Sequence, residues 1–210
     1  MSKVQRRRVA VTGIGLVNPF GGSAGDFFDR IMCGESAVTL YRHASSPSPI
    51  AQPAVGCLSF DPEQAIGRPM SNMTDRYSQL GIAAAFSAWD DAGLARVGAG
   101  SDDYGVSWGT GIGGTLTIEK GYSDFYERGK DRASPLSVAL AMNNAAASNI
   151  AISLGLGGGC LSYSVACASS AISIGEAFRR IQTGDSTLIV AGGSEAPLSF
   201  SVQPSWPWVP

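Results

Sequence analysis

A single histidine, His43, stands in the 210 residues, and the four cysteines fall at 33, 57, 160 and 167 with no C-x-x-C pair among them. No zinc site, and no other metal centre, is therefore expected. Charge is sparse as well: Asp, Glu, Lys and Arg make up 15% of the chain and leave a formal net charge of −2, which excludes a nucleic-acid signature. The one basic cluster, Lys3, Arg6, Arg7 and Arg8, reads as a solvated terminus ahead of the first strand. No apolar run has the length of a membrane span, and no apolar h-region follows "MSKVQRRRV". A cytoplasmic protein with reduced thiols is the expectation.

What the chain does hold is glycine, 27 residues of it, within a sequence that is 44% hydrophobic. That combination suits one globular α/β domain, or half of a larger one, with many tight strand–helix turns. "RRVAVTGIGLV" predicts a buried strand over 9–12 that enters a glycine turn. "SAGDFFDRIMCGES" predicts a short helix with a Ser23/Asp26 capping box and a stop at Gly34. Residues 36–70 are rich in Ser and Pro and read as irregular. A long helix is expected over 74–92 with Gly93 as its stop, followed by a strand in "YGVSWGTGIGG". "SPLSVALAMNNAAASNIAISLGLGGG" reads as one alanine-rich helix, "LSYSVA" as a strand, "CASSAISIGEAFRRIQTGD" as a helix and "STLIVAGGSE" as a further strand. Strands alternating with helices predict a mostly parallel sheet sandwiched by helices.

The stretch "SYSVACASSAISIGEA", residues 162–177, puts Cys167 where the apolar period changes from strand to helix. If the helix begins at Cys167, the sulfur sits near unsatisfied backbone N–H groups at the positive end of the dipole, and both favour the nucleophilic thiolate. The surrounding Gly, Ala and Ser leave room for a substrate carbonyl, and the Cys167 N–H is placed to donate to an oxyanion. Nucleophile elbows use this strand–turn–helix geometry, although no G-x-S-x-G occurs. The alternative is a small core cysteine.

"VACASSAISIGEAFRRIQTGDSTLIVAGGSEAP" resembles the active-site region of the β-ketoacyl-[acyl carrier protein] synthases, and "RRRVAVTGIGLVNPFG", "GTGIGG" and "RASPLSVALAMNNAAASNIAISLGLGG" resemble further blocks of that family in the right order. The resemblance implies the N-terminal half of a thiolase-like fold, with an incomplete synthase domain over 6–199. It implies a covalent mechanism in which Cys167 accepts an acyl group from a carrier-protein thioester and then passes it to a carbanion formed by decarboxylation of malonyl-carrier. Gly111, Ile112 and Ala166 would line the acyl site. Residues 136–144 would meet a partner subunit in a homodimer or a pairing with another ketosynthase subunit. Arg128, Lys130 and Arg132 are candidates for docking an acidic acyl carrier protein, or else a solvated charged loop. No cofactor is implied.

The chain departs from the family where two catalytic histidines are expected, in motifs like HGTGT and NxxGFGG; neither motif is present, and His43 matches none. Condensation by this polypeptide alone is not expected. The Pro/Trp-rich end "FSVQPSWPWVP", residues 200–210, replaces a glycine-rich helical stretch of the family. It suggests a frameshift or premature stop, with a partner-binding tail as the alternative. Two other readings stay open: a non-catalytic fragment that pairs with synthase subunits, and an NAD(P)-binding domain built on Gly109–Gly114 with Asp131 as the ribose acid.

Overall fold

The structure, a computed structural model, describes residues 6–42, 52–96, 101–132, 134–196 and 198–199. Its elements run α1 (Ala24–Met32), β1 (Thr39–Tyr41), β2 (Gln52–Ala54), α2 (Pro62–Ile66), α3 (Arg68–Asn72), α4 (Arg76–Asp91) and β3 (Tyr104–Gly109). The chain continues through α5 (Thr115–Tyr126), α6 (Ser137–Ala141), α7 (Ala145–Leu154), β4 (Cys160–Tyr163), α8 (Ser169–Thr183) and β5 (Leu188–Gly193).

Three parallel strands form the central sheet in the order β4–β3–β5, with Val106 opposite both Cys160 and Val190. Successive residues of β3 face opposite sides, and the two sides are used differently. Val106 and Trp108 are buried among Tyr77, Ile82, Ala85 and Trp89 of α4 and Ala146, Ile150 and Leu154 of α7. Ser107 points the other way, and its hydroxyl donates to the Ser173 carbonyl of α8 at 2.7 Å. The Ser173 hydroxyl in turn lies 2.6 Å from the Gly192 carbonyl of β5. Helices therefore cover both faces, apolar on one side and hydroxyl-knit on the other. Helix α8 buries Ser169, Ser173 and Ala177, whereas Ile174 and Phe178 remain exposed.

The strand expected over 9–12 is not formed. Residues 6–13 belong to no strand, and Val11 is 81% exposed. Residues 9–17 line a cleft of about 850 Å³ together with residues of β5, α4 and α8. The glycines of this segment serve close approach rather than a turn. A Cβ on Gly13 would lie 2.1 Å from the Ala88 carbonyl oxygen, and one on Gly15 would lie 2.2 Å from that of Ala84.

Helix α1 carries the expected capping box, with the Ser23 hydroxyl accepting from Asp26 N–H and the Asp26 carboxylate accepting from Ser23 N–H. Gly34 and Gly93 follow their helices at φ +76° and +70°, as stop glycines do. The described part of 36–70 is not all irregular, contrary to what its composition suggests. It holds the antiparallel pair β1–β2, the short helix α2, capped by Asp61, and the start of α3. His43 lies outside the described residues.

The alanine-rich stretch is two helices, not one. At the break Met142 is extended, with ψ 139°. The buried Tyr77 hydroxyl donates to the Met142 carbonyl at 2.5 Å and accepts the Ala146 N–H at 3.4 Å. These bonds replace helical ones, so Tyr77→Phe is expected to cost about 1–3 kcal/mol by orphaning both groups. Burial, helped by the Asp75 charge, raises the Tyr77 phenol above its ordinary value. The neutral form is thus favoured by folding. That contribution is whole below about pH 10 and fades as pH rises through the folded value. Thermal unfolding of both forms between pH 8 and 11 checks this: Tyr77→Phe melts lower at pH 8 and loses less on going alkaline.

Candidate active site

All three parallel strands end on the same edge of the sheet, the edge where open α/β sheets place their sites. From β3 the chain enters the loop 110–114; from β4 it runs through Ser164–Cys167; from β5 it passes to Ser194 and Glu195. Strand alternation in "LSYSVA" and the helix period after it bring Cys167 to this edge, where it is exposed.

The junction is a strained elbow. Ala166 has φ +47°, the one positive φ among described residues other than glycine. Ser169 closes the turn: its hydroxyl accepts Val165 N–H at 2.8 Å and donates to the Ala166 carbonyl at 2.7 Å. Helix α8 begins at Ser169 with Ala168 as N-cap, so Cys167 stands just before the cap rather than in the first turn. The sulfur is presented by the elbow and not by the helix itself, which corrects the expected start at Cys167.

Small residues around the elbow are there because backbones occupy the space. A Cβ on Gly109 would lie 2.3 Å from the Ser169 carbonyl carbon, and one on Gly193 would lie 2.7 Å from the Gly109 carbonyl oxygen. Gly111 comes against Ala166, since its Cβ would lie 3.6 Å from the Ala166 carbonyl oxygen. Of the expected acyl-site residues, Gly111 and Ala166 are thus side by side, and Ile112 follows on the same loop, 42% exposed.

The loop 110–114 is fastened from several sides. Ser164 Oγ donates to the Gly111 carbonyl at 3.1 Å, and Asn143 Nδ2 donates to Ser164 Oγ at 3.3 Å. Gly111 N–H donates to Glu195 Oε2 at 2.5 Å, and Thr110 Oγ1 donates to Glu195 Oε1 at 3.1 Å. Glu195 was not anticipated from the sequence; its position directly after the strand "LIVAGG" was the available signal. The carboxylate also argues against a dinucleotide site. It takes the glycine-loop N–H that a phosphate would need and adds negative charge there, while Asp131 lies in the loop after α5, away from any strand end.

The basic cluster lies apart. It follows α5, a helix of about 18 Å that leads away from the glycine loop. Arg128 and Lys130 both pair with Asp124, at 2.8 and 2.9 Å, and these partners, Lys130 first, hold the Asp124 carboxyl below its usual value. Arg132 is exposed. Burial pushes the Cys57 and Cys160 thiols up, which sets both against a nucleophilic role. Among the described residues no group of three His, Cys, Asp or Glu is placed to hold a metal, and no helix is long and apolar enough to cross a membrane.

Comparison with known proteins matches residues 6–203 to the family described as "Beta-ketoacyl synthase, N-terminal domain". The 3-oxoacyl-[acyl-carrier-protein] synthase 2 of Vibrio cholerae is 33% identical over 192 residues, covering 91% of this chain and 46% of that relative. Among solved structures, the ishigamide ketosynthase/chain length factor superposes with TM-score 0.84 at 23% identity, over 95% of this chain and 50% of that one. A type II polyketide acyl-carrier protein in complex with its ketosynthase gives TM-score 0.74 at 22% identity, over 95% and 54%. The chain spans about half the length of the relatives it matches, and its α/β sandwich has the thiolase-like fold of the ketosynthases.

Proposed function

The chain belongs to the β-ketoacyl synthase family, matched through that family's N-terminal domain, and from that premise we propose that Cys167 is its acyl acceptor. The observation that carries the proposal is the exposed thiol directly after the strained Ala166, at the strand-to-helix elbow of the parallel sheet. The Cys167 thiolate attacks the carbonyl carbon of an acyl thioester. The tetrahedral oxyanion collapses, the carbon–sulfur bond to the carrier breaks, and the departing thiolate takes up a proton. The product is an acyl-enzyme thioester. The Gly111–Ile112 loop and Ala166 form the wall against which the acyl chain lies.

The donor is an acyl carrier protein, the partner named for the curated relative and for one solved neighbour. Arg132, and the outer faces of Arg128 and Lys130, offer it positive charge, reduced by the two ion pairs to Asp124. Pairing with a second ketosynthase subunit, or a second copy, is supported by α5 and α6. Helix α5 exposes Tyr122, Phe125 and Tyr126, and Val138 of α6 and Met142 just after it are exposed as well.

Condensation asks for more than the acceptor thiol, because decarboxylation of malonyl-carrier creates an enolate that must be stabilised. With His43 as the only histidine of the chain, the 210-residue polypeptide acylates Cys167 and stops there. The test is to incubate it with acyl-carrier and then malonyl-carrier. The expected result is an acyl adduct with no β-ketoacyl product. Measurable condensation product would refute the second half of the proposal. The absence of any adduct would refute the first and favour a fragment that only pairs with synthase subunits.

A further inference from the structure

The loop beside Cys167 is held by a carboxylate that the acyl-transfer chemistry does not itself require. Glu195 is half-buried and spans the ends of two parallel strands. It leaves β5 and takes two hydrogen bonds from the residues that follow β3, Gly111 N–H at 2.5 Å and Thr110 Oγ1 at 3.1 Å. Thr110 is itself buried, and its hydroxyl accepts the Gly113 N–H at 3.1 Å. The three bonds form one relay, from Gly113 N–H to the Thr110 hydroxyl to the Glu195 carboxylate, with Gly111 N–H arriving at the other oxygen. Bonds of this kind reinforce one another, and the ionised acceptor makes the last two strong. Ile112 is the residue between the two clamped amides, and its side chain is not held by the relay.

The consequence is that Glu195 fixes where Ile112 stands relative to the Ala166–Cys167 elbow. We infer that Glu195 is a positioning residue, which sets the acyl-chain preference of Cys167 by holding the Gly111–Gly113 loop against Ala166. The inference rests on Cys167 being an acyl acceptor. A carboxylate suits the task because it only accepts: both of its partners are donors, and one oxygen faces each. In Glu195→Gln an NH2 group replaces one of those oxygens at nearly unchanged shape, so one donor must lose its acceptor or rotate away. Thr110→Val keeps the branched shape and removes the middle of the relay, leaving the Gly113 N–H without its partner.

The experiment uses the 210-residue chain and reads two rates at Cys167 by peptide mass mapping. Alkylation by iodoacetamide, a reagent too small to feel the pocket, reports the reactivity of the thiol. Acylation by acetyl and by dodecanoyl thioesters of N-acetylcysteamine reports the pocket through the ratio of the two. In both variants the dodecanoyl-to-acetyl ratio is expected to change by about tenfold, the scale of one lost charge-assisted hydrogen bond, with alkylation within about twofold of wild type. An unchanged ratio in either folded variant overturns the inference, and so does a common fall of all three rates, which would mark a general loss of structure. If Glu195→Gln does not fold, Thr110→Val alone decides between the same outcomes. Wild-type protein that alkylates but takes neither acyl group overturns the acyl-acceptor reading itself, and this inference with it.

Discussion

Cys167→Ser is expected to abolish acyl transfer from a thioester to the chain, by roughly a thousandfold or more, the scale on which removing a covalent nucleophile acts. Serine is nearly isosteric, so the elbow keeps its shape. What changes is the nucleophile. A thiol yields its anion within reach of neutral pH, whereas a hydroxyl needs an adjacent base. Among the described residues, the side-chain hydrogen bonds that close the elbow are those of Ser169, whose hydroxyl accepts Val165 N–H and donates to the Ala166 carbonyl. Since Cys167 is exposed, the substitution leaves the melting temperature almost unmoved, within about 0.5 kcal/mol of stability. Loss of acylation at constant stability separates a nucleophile from a packing residue. Residual acylation in Cys167→Ser at the wild-type rate would move the acceptor to another thiol, of which Cys33 and Cys160 are also exposed.

The second large effect is structural and acts on the same site. Gly109→Ala places a Cβ 2.3 Å from the Ser169 carbonyl carbon, 2.4 Å from its oxygen and 2.6 Å from Ser170 N. All three are backbone atoms of the first turn of α8, which no rotamer change can move. The helix start must shift away from β3, and with it the bonds from Ser169 that close the elbow. A cost of about 3 kcal/mol or more follows from overpacking of this kind, and a fall in melting temperature on the order of 10 °C for a chain of this size. Acylation of Cys167 should fall with it. Gly175→Ala is the matched control within α8. Its Cβ meets nothing within 4 Å, so helix propensity alone acts and stability rises by about 1 kcal/mol. If Gly109→Ala melts with the wild type, the close approach of β3 to α8 is not what shapes the elbow.

Much of this arrangement was legible in the residues because it is encoded locally. The Ser23/Asp26 capping box, the stop glycines at 34 and 93 and the strand-to-helix change at Cys167 need no distant partner to be read. The parts that were not legible depend on contacts between residues remote in sequence. The break between α6 and α7 is made by Tyr77, 65 positions before Met142, so "SPLSVALAMNNAAASNI" by itself reads as continuous helix. Helix α5 has Gly114 at its N-cap with no side-chain cap bond; its anchor is the Asp75 carboxylate, which accepts Thr117 N–H at 2.9 Å from across the fold. The segment 9–12 has a strand's composition, yet among the described residues it joins neither sheet. Glu195 escaped notice for the same reason. Its meaning lies in two donors 84 and 85 positions earlier, not in its neighbours in "GGSEAP".

The most direct measurement is which cysteine of the wild-type chain takes the acyl group. The purified protein is incubated with an acyl-carrier thioester, digested, and the four cysteine-containing regions are mapped by mass spectrometry. The elbow geometry predicts the acyl mass on the Cys167 peptide, sensitive to hydroxylamine as a thioester is, with Cys33, Cys57 and Cys160 unmodified. Acyl mass spread over the exposed thiols, or absent from Cys167, would contradict the assignment of Cys167 as the acceptor.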